Sequence, residues 1–99
     1  GAGVPMHEFV FLGFLPQKKG RETLLKEIGG AKRPYVFYES PHKILKTLEA
    51  LKKFAPEKQV VLARELTKIY EESVSKTAEQ HLEEAKTKTP RGEYVVIVH

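Results

Sequence analysis

The sequence has no cysteine and no aspartate among its 99 residues, a single methionine at position 6, and no long apolar run. Without cysteine there is no disulfide, no thiolate metal site and no cysteine nucleophile. Without a run of about 18 apolar residues there is no transmembrane helix. The N-terminus lacks the charged-then-apolar pattern of a secretory signal, so a cytoplasmic location is expected. Phosphate-loop and metalloprotease signatures are also missing: there is no G-x-G-x-x-G, no Walker loop and no His-Glu-x-x-His. His7, His42, His81 and His99 are too scattered in sequence for a metal centre, so none is expected.

What remains is the composition of one globular domain, 40% hydrophobic and 30% charged. A chain of this length buries one core, about 65% of its unfolded surface, and has little room for an enclosed cofactor cavity. The net charge of +4 is unevenly spread. Residues 1–53 carry ten cations against five glutamates, and residues 54–99 carry seven against eight. The densest stretch runs from Lys18 to Arg33. Such asymmetry points to a polyanion such as RNA, or to an ordinary solvated helix face.

Residues 1–7 read as a linker of small residues, and with methionine only at position 6 the chain is expected to be a piece of something longer. Residues 8–99 form the expected domain. Phe9–Leu15 is an apolar run ended by Pro16, as in a strand covered on both faces. Lys18–Ile28 sets Leu24, Leu25 and Ile28 on one helical face, with Gly29-Gly30 as the stop. Tyr35–Tyr38 is a second strand. Ser40-Pro41 predicts a helix start with the serine hydroxyl as cap, followed by Ile44, Leu45, Leu48 and Leu51 at helical spacing. Gln59–Ala63 and a more polar, edge-like Ile69–Ser75 are strands, and Thr77 with Gln80 forms a capping box that opens a third helix. Pro90-Arg91-Gly92 turns into the last strand, Tyr94–Val98. The order β-α-β-α-β-β-α-β predicts an α/β (α+β) domain with a mixed five-stranded sheet and three helices.

Two polar clusters follow apolar strands: Glu39-Ser40-Pro41-His42-Lys43 and Arg64-Glu65-Leu66-Thr67-Lys68. If the two strands are parallel and adjacent, both clusters lie on the rim where open sheets collect ligands. Glu39, His42 and Glu65 are their titratable residues, Lys43, Arg64 and Lys68 their cations, and a helix N-terminus at His42 and Lys43 favours an anionic group such as phosphate. Each has a plainer reading: Ser40 as a cap, Glu39 beside a helix dipole, Glu65 paired with Arg64 or Lys68, His42 as a surface histidine. Phe11, Phe14, Tyr35, Phe37 and Tyr38 can stack on bases, but their strand context favours core packing for most of them, with Tyr38 kept as the exception.

Four segments carry a resemblance to a known family. Gly13-Phe-Leu-Pro16 with Lys18-Lys19, Phe37-Tyr-Glu-Ser-Pro-His-Lys43, Leu62-Ala-Arg-Glu-Leu-Thr-Lys68 and Gly92-Glu-Tyr-Val-Val96 occur in order across almost the whole chain. Together they resemble the C-terminal domain of the ribosomal RNA small subunit methyltransferase I family, within the tetrapyrrole (corrin/porphyrin) methylase superfamily. The resemblance implies a two-domain enzyme that uses S-adenosylmethionine to methylate the ribose 2′-hydroxyl of a cytidine in small-subunit rRNA. It implies a cofactor held mainly by an N-terminal domain not contained here, a homodimer in the full-length form, and no activity from this domain alone. Lys18, Lys19 and Arg21 then become a backbone-contacting patch. Glu39, His42 and Glu65 become the candidates for removing the hydroxyl proton, and Lys43, Arg64, Thr67 and Lys68 the candidates for holding the substrate. Glu39 and Arg64 stand foremost, with no general base assigned among them. Lys43 stands where the family has Arg, which loses the bidentate fork, and Lys76 where it has Gly, at the turn before Thr77. The rival readings are methylation of a tetrapyrrole ring carbon, and a non-catalytic module that binds RNA or dimerises.

Overall fold

A computed structural model describes residues 9–66, 69–87 and 92–99, and for residues 64–74 no side chain is described. The expected 1–7 linker therefore lies outside the described residues. The elements are β1 (Val10–Phe14), α1 (Arg21–Gly30), β2 (Tyr35–Glu39), α2 (Ile44–Phe54), β3 (Gln59–Leu66), β4 (Ile69–Thr77), α3 (Ala78–Ala85) and β5 (Tyr94–Val98). The order is the one expected from the sequence, and the five strands form one mixed sheet arranged β1-β2-β5-β3-β4.

β1 and β2 are parallel, while β5 runs antiparallel to both β2 and β3, and β4 antiparallel to β3. β1, β2 and β3 therefore point one way, and β4 and β5 the other. Three crossovers of one hand then place all three helices on the same face. The main core lies there: Leu25, Ile28, Ile44, Leu48, Leu51 and Ala78 from the helices pack on Tyr35, Phe37, Val60, Val96 and Val98 from the strands. A smaller cluster, Val36, Val61 and Ile97, lies on the opposite face and contains no residue of the three helices.

Several local expectations are corrected. Gly29 and Gly30 are the last residues of α1 rather than a stop beyond it. A Cβ on Gly29 would stand 2.1 Å from the Phe54 carbonyl oxygen, so this glycine serves the close approach of α1 to the end of α2. Ser40 does not cap α2 with its hydroxyl. Its carbonyl closes a turn onto the amides of Lys43 (3.1 Å) and Ile44 (3.0 Å), and the helix starts at Ile44 with Lys43 as an N-cap that makes no side-chain cap bond. Leu45, expected on the apolar stripe, is exposed, and Thr47 is buried in that stripe. β3 does not end at Ala63 but runs on through Arg64 and Glu65 to Leu66, because β4 pairs with it throughout, with a register shift between Arg64 and Glu65.

The aromatic expectation also divides. Tyr35 and Phe37 are core residues, but Phe11 and Phe14 are not. Gly13 adopts φ 71° at a bulge, where pairing passes from Phe11↔Val36 to Gly13↔Phe37 and Phe14↔Tyr38. The extra residue breaks strict alternation and brings Phe11 and Phe14 to the same face as Tyr38. Tyr38 meets Phe11 at 5.4 Å and Phe14 at 5.5 Å between ring centroids.

The capping box of α3 forms as expected: Thr77 Oγ1 accepts from the Gln80 amide and the Gln80 side chain accepts from the Thr77 amide. Lys76, in the position where a glycine is usual, remains in β4 and pairs with Glu84 of α3. No helix among the described residues is long and apolar enough to cross a membrane.

Candidate functional site

Because β1, β2 and β3 share a direction, their carboxyl ends lie along one edge of the sheet. That edge carries Leu15–Gly20 after β1, Ser40–Lys43 after β2 and the end of β3 at Arg64–Leu66. β2 and β3 are parallel but not adjacent, as β5 lies between them. The two polar clusters are therefore one strand further apart than adjacent strands would set them. They still fall into register: Glu39 pairs with Tyr94, and Tyr94 pairs with Arg64. Across two strand spacings, Glu39 and Arg64 stand roughly 9.5 Å apart at their backbones.

The rim's best-defined feature is a polar chain beneath it. Glu39 is only 3% exposed, at the end of β2. Its Oε1 accepts from the Ser40 amide at 3.0 Å and its Oε2 accepts from the Thr47 hydroxyl. Thr47 is fully buried, and its Oγ1 accepts in turn from Arg21 Nη2 at 3.1 Å. Arg21 Nη1 donates to the Pro16 carbonyl at 3.3 Å. This run ties the loop after β1, the first turn of α1, the end of β2 and the body of α2 into one unit. A buried carboxylate needs such donors, since leaving it unsatisfied costs several kcal/mol by order of magnitude.

The expected site residues consequently separate by position. Lys18, Lys19, His42 and Lys43 are exposed on the rim, and among the described residues none of the four side chains forms a hydrogen bond or ion pair. Arg21, expected on the RNA-contacting patch, is half-buried with its guanidinium committed to Thr47 and Pro16. Glu39 lies under the rim rather than on it. Arg64 and Glu65 are placed by register within β3, opposite Glu72 and Tyr70 of β4. Thr67 and Lys68 lie outside the described residues.

Thr47 was not singled out from the sequence. Its signal is a single polar residue on the stripe formed by Ile44, Leu48 and Leu51, all buried. A second buried polar residue is His81 of α3, whose Nε2 lies 2.6 Å from the Val60 carbonyl of β3 and so carries the proton it donates. Burial pushes the His81 pKa below its ordinary value, against the opposing pull of that carbonyl.

No protein-family profile matches the chain. Individual proteins do. The chain is 40% identical over 100 residues to a protein named ribosomal RNA small subunit methyltransferase I from Hydrogenobaculum sp., covering 99% of this chain and 43% of that protein. It is 41% identical over 98 residues to the protein of that name from Halalkalibacterium halodurans, covering 98% of this chain and 34% of the relative. A third, from Thermotoga maritima, is 35% identical over 97 residues, covering 98% of this chain and 44% of the relative. The chain thus spans well under half the length of these relatives.

Proposed function

The chain belongs to the ribosomal RNA small subunit methyltransferase I family, matching one part of its members, and on that premise we propose that it is the C-terminal, substrate-side domain of an rRNA methyltransferase. The reaction is transfer of a methyl group from S-adenosylmethionine to the ribose 2′-hydroxyl of a cytidine in small-subunit rRNA, and the substrate makes the cytoplasm its place of work. The observation that carries this reading is the common edge of three resembling segments, Gly13–Lys19, Glu39–Lys43 and the Arg64–Glu65 end of β3. An RNA ligand suits a rim whose exposed side chains include Lys18, Lys19 and Lys43.

The described residues do not fit the cofactor as its main holders. The rim lysines would repel a ligand whose sulfonium is itself cationic, and the positive-φ glycines 13, 20 and 92 come one each from β1, the N-cap of α1 and the residues before β5 rather than from one glycine-rich loop. The reading therefore assigns cofactor binding to the part of the full-length protein outside this chain, and expects no methyl transfer from this chain alone. Of the two titratable candidates whose side chains are described, His42 is the exposed one, able to accept the hydroxyl proton at a ring nitrogen. Glu39 holds the turn that presents it, and Glu65 stands beside Arg64 at the end of β3. The full-length form associates as a homodimer in this reading.

The test is methyl transfer from labelled S-adenosylmethionine to small ribosomal subunits by the full-length protein, comparing His42→Ala with the parent. Roughly a hundredfold loss in turnover with retained RNA binding is expected of a general base. Parental turnover in the variant removes His42 from the chemistry, and no transfer to the rRNA by the parent removes the reading itself.

A further inference from the structure

Between α1 and α2, on the outer surface of the helix layer, runs an open groove of about 270 Å³. Leu25 and Ala50 form its floor, and Lys18, Lys53 and Phe54 stand along its walls. At this size and openness it falls below the volume that encloses a small-molecule ligand, and suits a chain lying across it.

The groove's charge is positive after its internal pairs are counted. Glu22, the one acidic residue lining it, lies 3.5 Å from Lys26. Lys26 and Lys53 hold their ammonium groups 5.8 Å and 5.1 Å from the centroid of the Phe54 ring. Arg21 is engaged with Thr47 and Pro16, whereas Lys18 and Lys53 make no ion pair among the described residues. Lys18 also belongs to the loop after β1, so the groove opens directly onto the rim. Two ammonium groups without an ion pair among the described residues, one at the rim and one further along the helix layer, beside an aromatic ring and without a deep pocket, suit the backbone of single-stranded nucleic acid.

We propose that the α1–α2 groove binds the phosphodiester backbone of single-stranded RNA flanking the nucleotide presented at the rim, with Lys53 and Lys18 as its phosphate contacts. The proposal rests on the reading of the chain as acting on rRNA. It adds a residue, Lys53, and a direction of approach across the helix layer, and it replaces Arg21 as a phosphate contact.

The experiment is a salt-titrated anisotropy measurement of this 99-residue chain with a labelled single-stranded fragment of small-subunit rRNA. Parent, Lys53→Glu, Lys53→Gln, Lys18→Glu and Lys86→Glu are compared, each first melted to confirm that it is folded. Lys86 lies at the end of α3, outside the groove. Lys53→Glu and Lys18→Glu are expected to weaken binding about three- to tenfold at low salt and to reduce the salt slope by about one. Lys53→Gln should show the same loss of slope with a smaller loss of affinity, and Lys86→Glu should bind as the parent does. A parent that binds RNA while both Lys53 variants match it overturns the groove and leaves the RNA reading standing. A parent that fails to bind at low salt overturns both.

Discussion

Thr47 decides whether Glu39 can be buried. Its single hydroxyl donates to the Glu39 carboxylate and accepts from Arg21, so one side chain satisfies an acid on one side and a guanidinium on the other. Replacing it with valine keeps the volume and removes both bonds. Thr47→Val is expected to destabilise the chain by about 1–3 kcal/mol, because Glu39 keeps its burial and loses a donor. Thr47→Ser should recover most of the loss. Urea denaturation of the three proteins checks this, and a valine variant with the parental midpoint would show that the carboxylate does not depend on the hydroxyl. Glu39 could be named from the sequence because it sits in a string that resembles a family, and Arg21 because it lies in the densest basic stretch. Their depth could not, since a Phe-Tyr-Glu-Ser string reads the same whether the glutamate points to solvent or under a helix. Thr47 was the available clue, a polar residue where the helical stripe calls for an apolar one.

At the scale of elements, the parts best read in advance were those with chemistry local to the chain. The α3 capping box needs only Thr77 and Gln80, and it forms as written. The start of α2 misled because proline and serine suit a turn as well as a cap, and the turn came first. The length of β3 and the bulge at Gly13 depend on partner strands and were out of reach of periodicity. His81 shows the same dependence, joining α3 to β3 across the core. Its lowered pKa fixes a sign. The unfolded chain, with histidine near its ordinary 6.5, takes up the proton before the folded one does. The stabilisation is therefore complete above about pH 6.5 and falls as pH drops toward the lowered native value, by at most about 1.4 kcal/mol per pH unit. Melting curves between about pH 7.5 and 5 should slope downward for the parent and more weakly for His81→Gln. Equal slopes would mean that His81 becomes protonated without opening the α3–β3 contact.

The whole molecule separates its surfaces by chemistry. Cations stand on the rim and the helix layer, while the strand residues described on the opposite face, Phe11, Phe14, Val36, Tyr38, Val61, Val95 and Ile97, carry no charge. Phe11, Phe14 and Tyr38 are 53%, 63% and 40% exposed, which amounts to about 300 Å² of ring surface. A stable interface covers about 800 Å² on each partner, so this patch has the size of an interface's apolar centre. Nucleic acid has less reason to choose it than the cationic face, because the strand residues named on this face offer no cation to meet phosphate. The homodimer proposed for the full-length form is expected to use this face, with a second copy covering the rings. Phe11→Ser/Phe14→Ser is expected to abolish self-association of the full-length protein in sedimentation equilibrium while leaving RNA affinity and its salt slope unchanged. A double variant that still associates would move the interface elsewhere. One that loses association and RNA binding together would mean that the substrate spans two copies, so that the two faces act in one site.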